Sequence, residues 1–261
     1  MTGQPTESDA WTHWRRLTAA RIGLARAGAS LATAPLLEFK LAHARARDAV
    51  HEPLDQARLI ADLGTLGLPV HAVASAAGDR QTFLMRPDLG RRLAPESEAV
   101  LKPDAGAHDV AIVVADGLSA RAVQMHARPV LAELLPALRA QGWRLAPLVV
   151  VLHGRVAIGD AIATLLGADC AAVLIGERPG LTAPDSMGAY LTWRPGPRTT
   201  DADRNCISNI RPDGIGYADA AAKLAYLLAA IRGRRLSGVQ LKDDSGRLIS
   251  RPPERTSAPP R

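Results

Sequence analysis

"DVAIVVADG", residues Asp109 to Gly117, is a continuous apolar run that ends in an aspartate and a glycine. A segment with helical periodicity follows it, and two further apolar runs come later, LVVVL at 148–152 and AAVLIG at 171–176. Strands that are buried on both faces of a parallel sheet have such unbroken Val, Ile and Leu runs, and the segments between them are long enough for crossover helices. The sequence therefore predicts an α/β fold with a parallel sheet and helices on both faces.

The residues just after these predicted strands are the first candidates for ligand contacts. Right-handed crossovers bring the carboxyl ends of parallel strands to one edge of a sheet, where open α/β sheets bind their ligands. A fourth short strand, AYLTW at 189–193, leads into a loop with Cys206 that we expect to return to this edge. The candidates after the three strands are Asp116, Gly117, Leu118 and Ser119, then Gly154, Arg155, Val156 and Ala157, then Gly176, Glu177, Arg178 and Pro179.

No common nucleotide-binding or hydrolase motif occupies these turns. Neither G-x-G-x-x-G nor a P-loop is present. Ser119 lies in GLSAR, which lacks the second glycine of G-x-S-x-G, so a helix-capping serine is favoured over a nucleophile. Cys206 has no histidine in its own loop, although His153 could approach it in space, and a packing thiol is favoured over a Cys/His nucleophile. Cys170, inside an apolar strand, is predicted to be core.

The front of the chain carries two helical patterns. Residues 9–23 predict an amphipathic helix that we expect to pack on its own domain, and residues 34–52 predict a second helix with Pro35 at its start. The apolar face of the first helix contains Trp11, Trp14 and Leu17, and that of the second contains Leu37, Leu41 and Ala44.

The chain is predicted to divide into a helical N-terminal region (1–100), a Rossmann-like sheet domain (101–235) and a short strand or loop with a flexible Pro-rich tail (236–261). Glycines and prolines break residues 61–101 repeatedly, which indicates short irregular pieces. Within the sheet domain, Asp160 is predicted to cap the helix before the third strand and Gly167 to end it.

The amino-acid composition argues against several classes of protein. The 261 residues are 47% hydrophobic with a formal charge of +6, and the two cysteines do not form a disulfide framework. The arginines are spread among carboxylates, so a basic nucleic-acid-binding module is disfavoured, and no apolar run approaches the roughly 20 residues that span a bilayer. The N-terminus does not resemble a secretory signal, so the cytoplasm is the expected compartment.

Several further stretches resemble one family in the same order along the chain. They include LLEFKLAHARARDAVH, DVAIVVADGLSARAV, GRVAIGDAIA, LIGERPGLTAPDSMGAYLTW, DRNCISNIRPDGIGYADAAAKLAYLL and LSGVQLKD. Together they resemble the small chain of ethanolamine ammonia-lyase, an adenosylcobalamin-dependent enzyme. The resemblance is identified over residues 20–243, and none is identified in the segment before it or in the Pro/Arg-rich tail.

The resemblance implies that Val156, Glu177 and Cys206 contact the cobalamin. It also implies a large-subunit partner in a hetero-oligomer with several copies of each chain, radical chemistry carried out in the large chain, and no catalytic residue here. The sheet domain at 101–235 would then be a cobalamin-binding domain. Because the sequence lacks Asp-x-His-x-x-Gly, the motif by which a histidine replaces the cofactor's own lower base, the cofactor is expected to bind base-on. A bacterial microcompartment is an alternative to the open cytoplasm.

Other interpretations of these residues and of the function of the chain stay open at this point. Glu177 could simply pair with Arg178 or Arg155, and Val156 could belong to the core. The chain could also be a stand-alone α/β enzyme that uses Ser119 or Cys206 as its nucleophile.

Overall fold

The computed structural model describes residues 9–18 and 20–245. The α-helices in these residues are α1 (Asp9–Arg15), α2 (Thr33–His51), α3 (Gln56–Gly64), α4 (Arg80–Met85), α5 (Pro95–Leu101), α6 (Ala120–Ala140), α7 (Ile158–Leu166) and α8 (Tyr217–Arg234). The strands are β1 (Arg26–Ala27), β2 (Ser30–Leu31), β3 (Val70–Ala74), β4 (His108–Ala115), β5 (Leu148–Leu152), β6 (Ala168–Gly176), β7 (Met187–Trp193) and β8 (Arg204–Ile210).

A six-stranded sheet organises the chain, in the order β3-β5-β4-β6-β7-β8. The four strands from β3 to β6 are parallel, whereas β7 and β8 add to β6 in antiparallel pairs. The connection from β6 to β7, residues 177–186, is too short for a crossover helix, so the chain must turn back on itself. The predicted α/β fold is confirmed, with an antiparallel extension at one end of the sheet.

The two faces of the sheet are covered differently. One core cluster lies between the sheet and helices α3, α6 and α8, and it extends to Ile207 on β8. On the other face, α7 packs on β4 and β6, and α5 packs on β3 and α7. Cys206 and Ser208 are exposed on this second side, whereas Thr192 and Arg204 on the same strands are buried beside Asp160 of α7. Within the described residues, therefore, only part of the two outer strands lacks helical cover there. We call this surface of β7 and β8 the open face, formed by Gly188, Tyr190, Cys206 and Ser208.

The sequence missed two strands of this sheet. β3 lies in the region predicted as irregular, and its five residues VHAVA include only one that is buried. β8 lies where a loop was predicted around Cys206, and its polar residues Asn205, Ser208 and Asn209 have low strand propensity. Both are edge strands, so neither shows the unbroken apolar pattern of a strand that is buried on both faces. The division of the chain at residues 100 and 235 stays a prediction.

Helix ends follow the predicted residues in two cases and depart from them in one. Ser119 caps α6 by accepting a hydrogen bond from the Ala122 N–H, and Gly167 ends α7 with a φ of 68°. The predicted cap Asp160 is wrong, because Ala157 occupies the N-cap position and Asp160 lies inside the first turn of α7.

The N-terminal helices expose more apolar surface than the sequence predicts. The first helix ends at Arg15 rather than near residue 23, and the side chains of Trp11 and Trp14 are 44% and 57% exposed instead of packed away. The second helix forms as predicted, but it buries a row of alanines and leaves Leu37 and Leu41 in solvent. The apolar face of the first helix, which was expected to pack on its own domain, is therefore surface, and so is much of the apolar face of the second.

Candidate functional site

The three predicted cofactor contacts lie on different elements of the sheet domain. Val156 lies one residue before the N-cap of α7, Glu177 directly follows β6, and Cys206 lies in the middle of β8. Glu177 shares the alternation of Val173 and Ile175, which places it on the α7 side of the sheet.

The carboxylate of Glu177 is fixed over the start of β7. Its Oε2 accepts a hydrogen bond from the Asn209 backbone N–H at 3.1 Å. A Cβ at Gly188 would lie 3.0 Å from Glu177 Oε1, so the glycine makes room for this side chain. Neither Arg155 nor Arg178 forms an ion pair with Glu177 among the residues that the structure describes, so this carboxylate is held by the backbone of β8 and keeps acceptor capacity.

Tyr190 connects Glu177 with Cys206. Tyr190 and Cys206 are directly opposite each other on β7 and β8, and Cys206 Sγ lies 3.4 Å from Ser208 Oγ. Burial, together with smaller contributions from Cys206 and Glu177, raises the pKa of the Tyr190 phenol to about 12. The phenol therefore stays protonated at neutral pH beside both side chains.

A buried ion pair holds the beginning of α7 against the two outer strands. Arg204 on β8 donates from Nη1 and Nη2 to the carboxylate of Asp160 at 2.7 and 2.6 Å, and also to Thr192 Oγ1 at 3.0 Å. Burial disfavours the charged guanidinium, but the carboxylates of Asp160 and Asp201 together outweigh burial and raise the pKa of Arg204. Val156 precedes Asp160 by one helical turn, and both Val156 and Tyr190 pack against the same core cluster. The ion pair therefore fixes the start of α7, which Val156 precedes, against β8.

The geometry does not favour either predicted nucleophile. Ser119 is fully buried, and its hydroxyl donates to the Pro184 carbonyl at 3.1 Å while it caps α6. His153 stands at the end of β5, four strands from β8, which at the usual strand spacing is about 19 Å. A Cys206–His153 pair is thus out of reach, and Cys206 is an exposed thiol among Tyr190 and Ser208. Cys170 is buried in the core, as predicted.

Tyr190, Gly188 and Asn209 were missed as site residues. The AYLTW strand gave a signal for one of them, since an aromatic residue alternates there with buried aliphatic residues. Its partner across the sheet depends on the register between β7 and β8, which the sequence does not reveal.

Comparison of the sequence with known protein families gives a match over most of the chain. The profile of the ethanolamine ammonia-lyase light chain (EutC) matches residues 8–242. The chain belongs to this family.

Relatives in the ethanolamine ammonia-lyase light-chain family are similar along nearly their whole length. A protein of Azotobacter vinelandii is 56% identical over 245 residues, covering 92% of this chain and 91% of the relative. A protein of Ralstonia nicotianae is 53% identical over 237 residues, covering 89% and 88%. One of Xanthomonas campestris pv. campestris is 53% identical over 258 residues, covering 97% and 94%. Each of the three is an ethanolamine ammonia-lyase small subunit.

The described helices also bear on membrane association. Across residues 9–18 and 20–245, none of them has both the length and the hydropathy required to cross a bilayer.

Proposed function

We propose that this chain is the small subunit of an adenosylcobalamin-dependent ethanolamine ammonia-lyase, which converts ethanolamine into acetaldehyde and ammonia. In this proposal it holds the cobalamin, base-on, against a large catalytic subunit and contributes no catalytic residue. Family membership supports the reaction. The observation that carries the cofactor role is the open face, which contains Cys206 and has the Glu177 carboxylate fixed beside it.

The shape and chemistry of the open face fit a corrin. A corrin is a broad, flat ring with amide side chains around its edge, and a sheet surface without helical cover offers a flat area of matching kind. Gly188 is buried beneath the Glu177 side chain, and Tyr190 lies half-buried, so the ring of Tyr190 forms the middle of the face and the Glu177 carboxylate stands at its edge. Ligand sites commonly combine such an apolar floor with a few fixed polar groups at the edge.

Each bordering residue has a distinct role in this proposal. Glu177, fixed by Asn209, accepts hydrogen bonds from corrin amides. Val156 supplies apolar contact from the start of α7, and Cys206 packs its thiol against the corrin edge. When bound, adenosylcobalamin supplies the cobalt–carbon bond whose cleavage starts the radical chemistry, while these residues bind and orient it.

The open face also accounts for the need of a partner. A cofactor that lies on an uncovered sheet surface is exposed on its other side, and a large subunit would cover it there. We propose a hetero-oligomer with several copies of each chain, located in the cytoplasm or in a bacterial microcompartment.

Reconstitution tests the proposed reaction. The large chain from the same source, adenosylcobalamin and ethanolamine are mixed with and without this chain, and acetaldehyde release is measured. Acetaldehyde should form only when both chains are present. Chains that associate and bind cobalamin but release no acetaldehyde would refute the substrate, and chains that do not associate would refute the subunit role.

A matched pair of variants tests the cofactor contact. Glu177→Gln keeps the size of the side chain but removes its charge, and it should weaken cobalamin binding by the complex about 10-fold, the effect of one charge-assisted hydrogen bond. Glu133→Gln makes the same change at an exposed position of α6, on the opposite face of the sheet, and should leave binding unchanged. Equal affinities of the two variants would contradict the role of Glu177.

A further inference from the structure

A buried histidine lies where helices α6 and α8 meet the loop between β6 and β7. His126 on α6 is 1% exposed, and Tyr217 is the first residue of α8. Nδ1 of His126 lies 3.0 Å from the phenolic oxygen of Tyr217, and the centroids of the two rings are 5.7 Å apart. Because α6 and α8 cover the other face of the sheet, this pair lies away from the open face.

The β6–β7 loop, residues 177–186, rests on the same part of α6. At the start of the helix, Ser119 Oγ donates to the Pro184 carbonyl at 3.1 Å. The next residue, Asp185, lies close enough to His126 for its carbonyl and its carboxylate to favour a charged ring. The second half of the loop is therefore held against α6 at Ser119 and lies beside His126.

The second ring nitrogen of His126 is left without a hydrogen bond. Nε2 is buried and has no partner among the residues that the structure describes. A neutral imidazole can accept the hydroxyl hydrogen of Tyr217 at Nδ1, whereas a charged imidazole carries a hydrogen on both nitrogens. Protonation therefore removes this acceptor and leaves a buried, charged N–H at Nε2. Because an unpaired buried charge is costly, the observed packing favours neutral His126.

The charged groups around His126 do not reverse this preference. Burial lowers the pKa of His126, Asp185 on the loop opposes the lowering, and Arg211 after β8 adds to it. Arg211 lies 3.6 Å from Asp213, and its side chain is 16% exposed. Burial and the charge of Asp185 raise the pKa of Tyr217, so the phenol stays protonated at neutral pH. His126 is thus neutral in the closed packing, and it titrates at its ordinary pKa of 6.5 only when it is released into water.

We propose that His126 is a pH-sensitive latch, which holds the β6–β7 loop and the start of α8 against α6 when it is neutral and releases both when it is protonated. The closed state binds fewer protons than the released state. Its stability is therefore complete above pH 6.5 and is lost as the pH falls below this value. This inference is independent of the proposed function, because the latch and its anchors belong to this chain alone.

Hydrogen exchange of the full chain tests the latch. Mass spectrometry follows the peptides that cover residues 178–186 and 214–220 at pH 7.5 and 5.5, and dividing by the intrinsic exchange rate at each pH gives protection factors. A histidine that is neutral when closed and titrates at 6.5 when released shifts the equilibrium toward release about 10-fold over this range. The protection factors of both peptides should fall about 10-fold, whereas those of the central strand β4 should not change.

Variants assign this effect to His126. His126→Asn keeps an oxygen that can accept from Tyr217 but does not titrate, so its protection factors should be equal at the two pH values. His43→Asn makes the same change at an exposed position of α2 and should keep the 10-fold fall. Tyr217→Phe keeps the ring but removes the hydroxyl, and it should lower protection about 3- to 10-fold already at pH 7.5.

Titration of the wild type gives a second measurement that needs no variant. The ¹⁵N shifts of labelled histidine side chains report how many hydrogens each ring carries. The ring of His126 should gain its second hydrogen over the same pH range in which the loop loses protection.

Three results would overturn the inference. Wild-type protection factors that are equal at pH 7.5 and 5.5 would show that the loop is not released by acid. An equal fall in His126→Asn and the wild type would assign the release to another group. If His126→Asn does not fold, a wild-type His126 ring that stays neutral at pH 5.5 while the loop loses protection would lead to the same conclusion.

Discussion

Removing Asp160 should destabilise the chain more than breaking any surface ion pair. The side chains of Asp160 and Arg204 are 10% and 2% exposed, and two hydrogen bonds of 2.6 and 2.7 Å join them. In Asp160→Ala, the guanidinium would stay buried with only Thr192 Oγ1 and the exposed Asp201 carboxylate nearby. Losing one partner of a buried pair typically costs about 3 to 5 kcal/mol, and we expect a loss in that range.

Urea unfolding followed by circular dichroism measures this loss, with Asp169→Ala as the control. Asp169 pairs with Arg194 on the surface, where the two side chains are 44% and 68% exposed, and its removal should cost less than about 1 kcal/mol. The double variant Asp160→Leu/Arg204→Met removes both charges and should recover most of the stability, because no buried charge is left unpaired.

The energetic coupling between Asp160 and Arg204 shows whether an unpaired buried charge causes the loss of stability. If Asp160→Ala loses no more stability than Asp169→Ala, the buried pair does not hold α7 to β8. If the losses of Asp160→Leu and Arg204→Met, each measured alone, simply add in the double variant, the cost comes from cavities and not from an unpaired charge.

Three further predictions concern the site. A thiol reagent should label only Cys206 in the native chain and both cysteines in denaturant, because Cys170 is buried and its pKa is raised to about 12; native labelling of Cys170 would contradict the packing of β6. Gly188→Ala should push the Glu177 carboxylate from its position, since the new Cβ would lie 3.0 Å from Oε1, and weaken cobalamin binding by the complex about 10-fold. An unchanged dissociation constant would argue against that role of Glu177. Ser119→Ala should lose about 1 kcal/mol in urea unfolding with the loss of the helix cap and keep acetaldehyde release in the reconstituted enzyme. A folded but inactive variant would restore the hypothesis of a serine nucleophile.

The sequence predicted the centre of the sheet better than its edges. β4, β5 and β6 are buried on both faces, so their composition alone identifies them. β3 and β8 each have a neighbour on one side only, and their polar or small residues resemble those of a loop. Trp11 and Leu37 were misjudged for a different reason, since periodicity identifies an apolar face but not what covers it.

The sequence predicted those residues of the candidate site whose position follows from the order of the parallel strands. Val156 and Glu177 lie past strand ends that the sequence already placed at one edge, and the family resemblance added Cys206. Tyr190 could not be found in the same way, because its place beside Cys206 depends on an antiparallel register. The stacking of Arg80 and Arg155 on Phe83 is equally hidden, since the two arginines come from distant parts of the chain.

The antiparallel extension also has a consequence for the order of folding. Tyr190 pairs with Cys206 only 16 positions later in the chain, whereas Val70 on β3 pairs with Leu148, 78 positions later. With a closure entropy that grows as the logarithm of loop length, the shorter loop is favoured by about 1.4 kcal/mol. The two strands of the open face can therefore associate with each other as soon as they leave the ribosome, while the far edge of the sheet must wait for a long-range encounter.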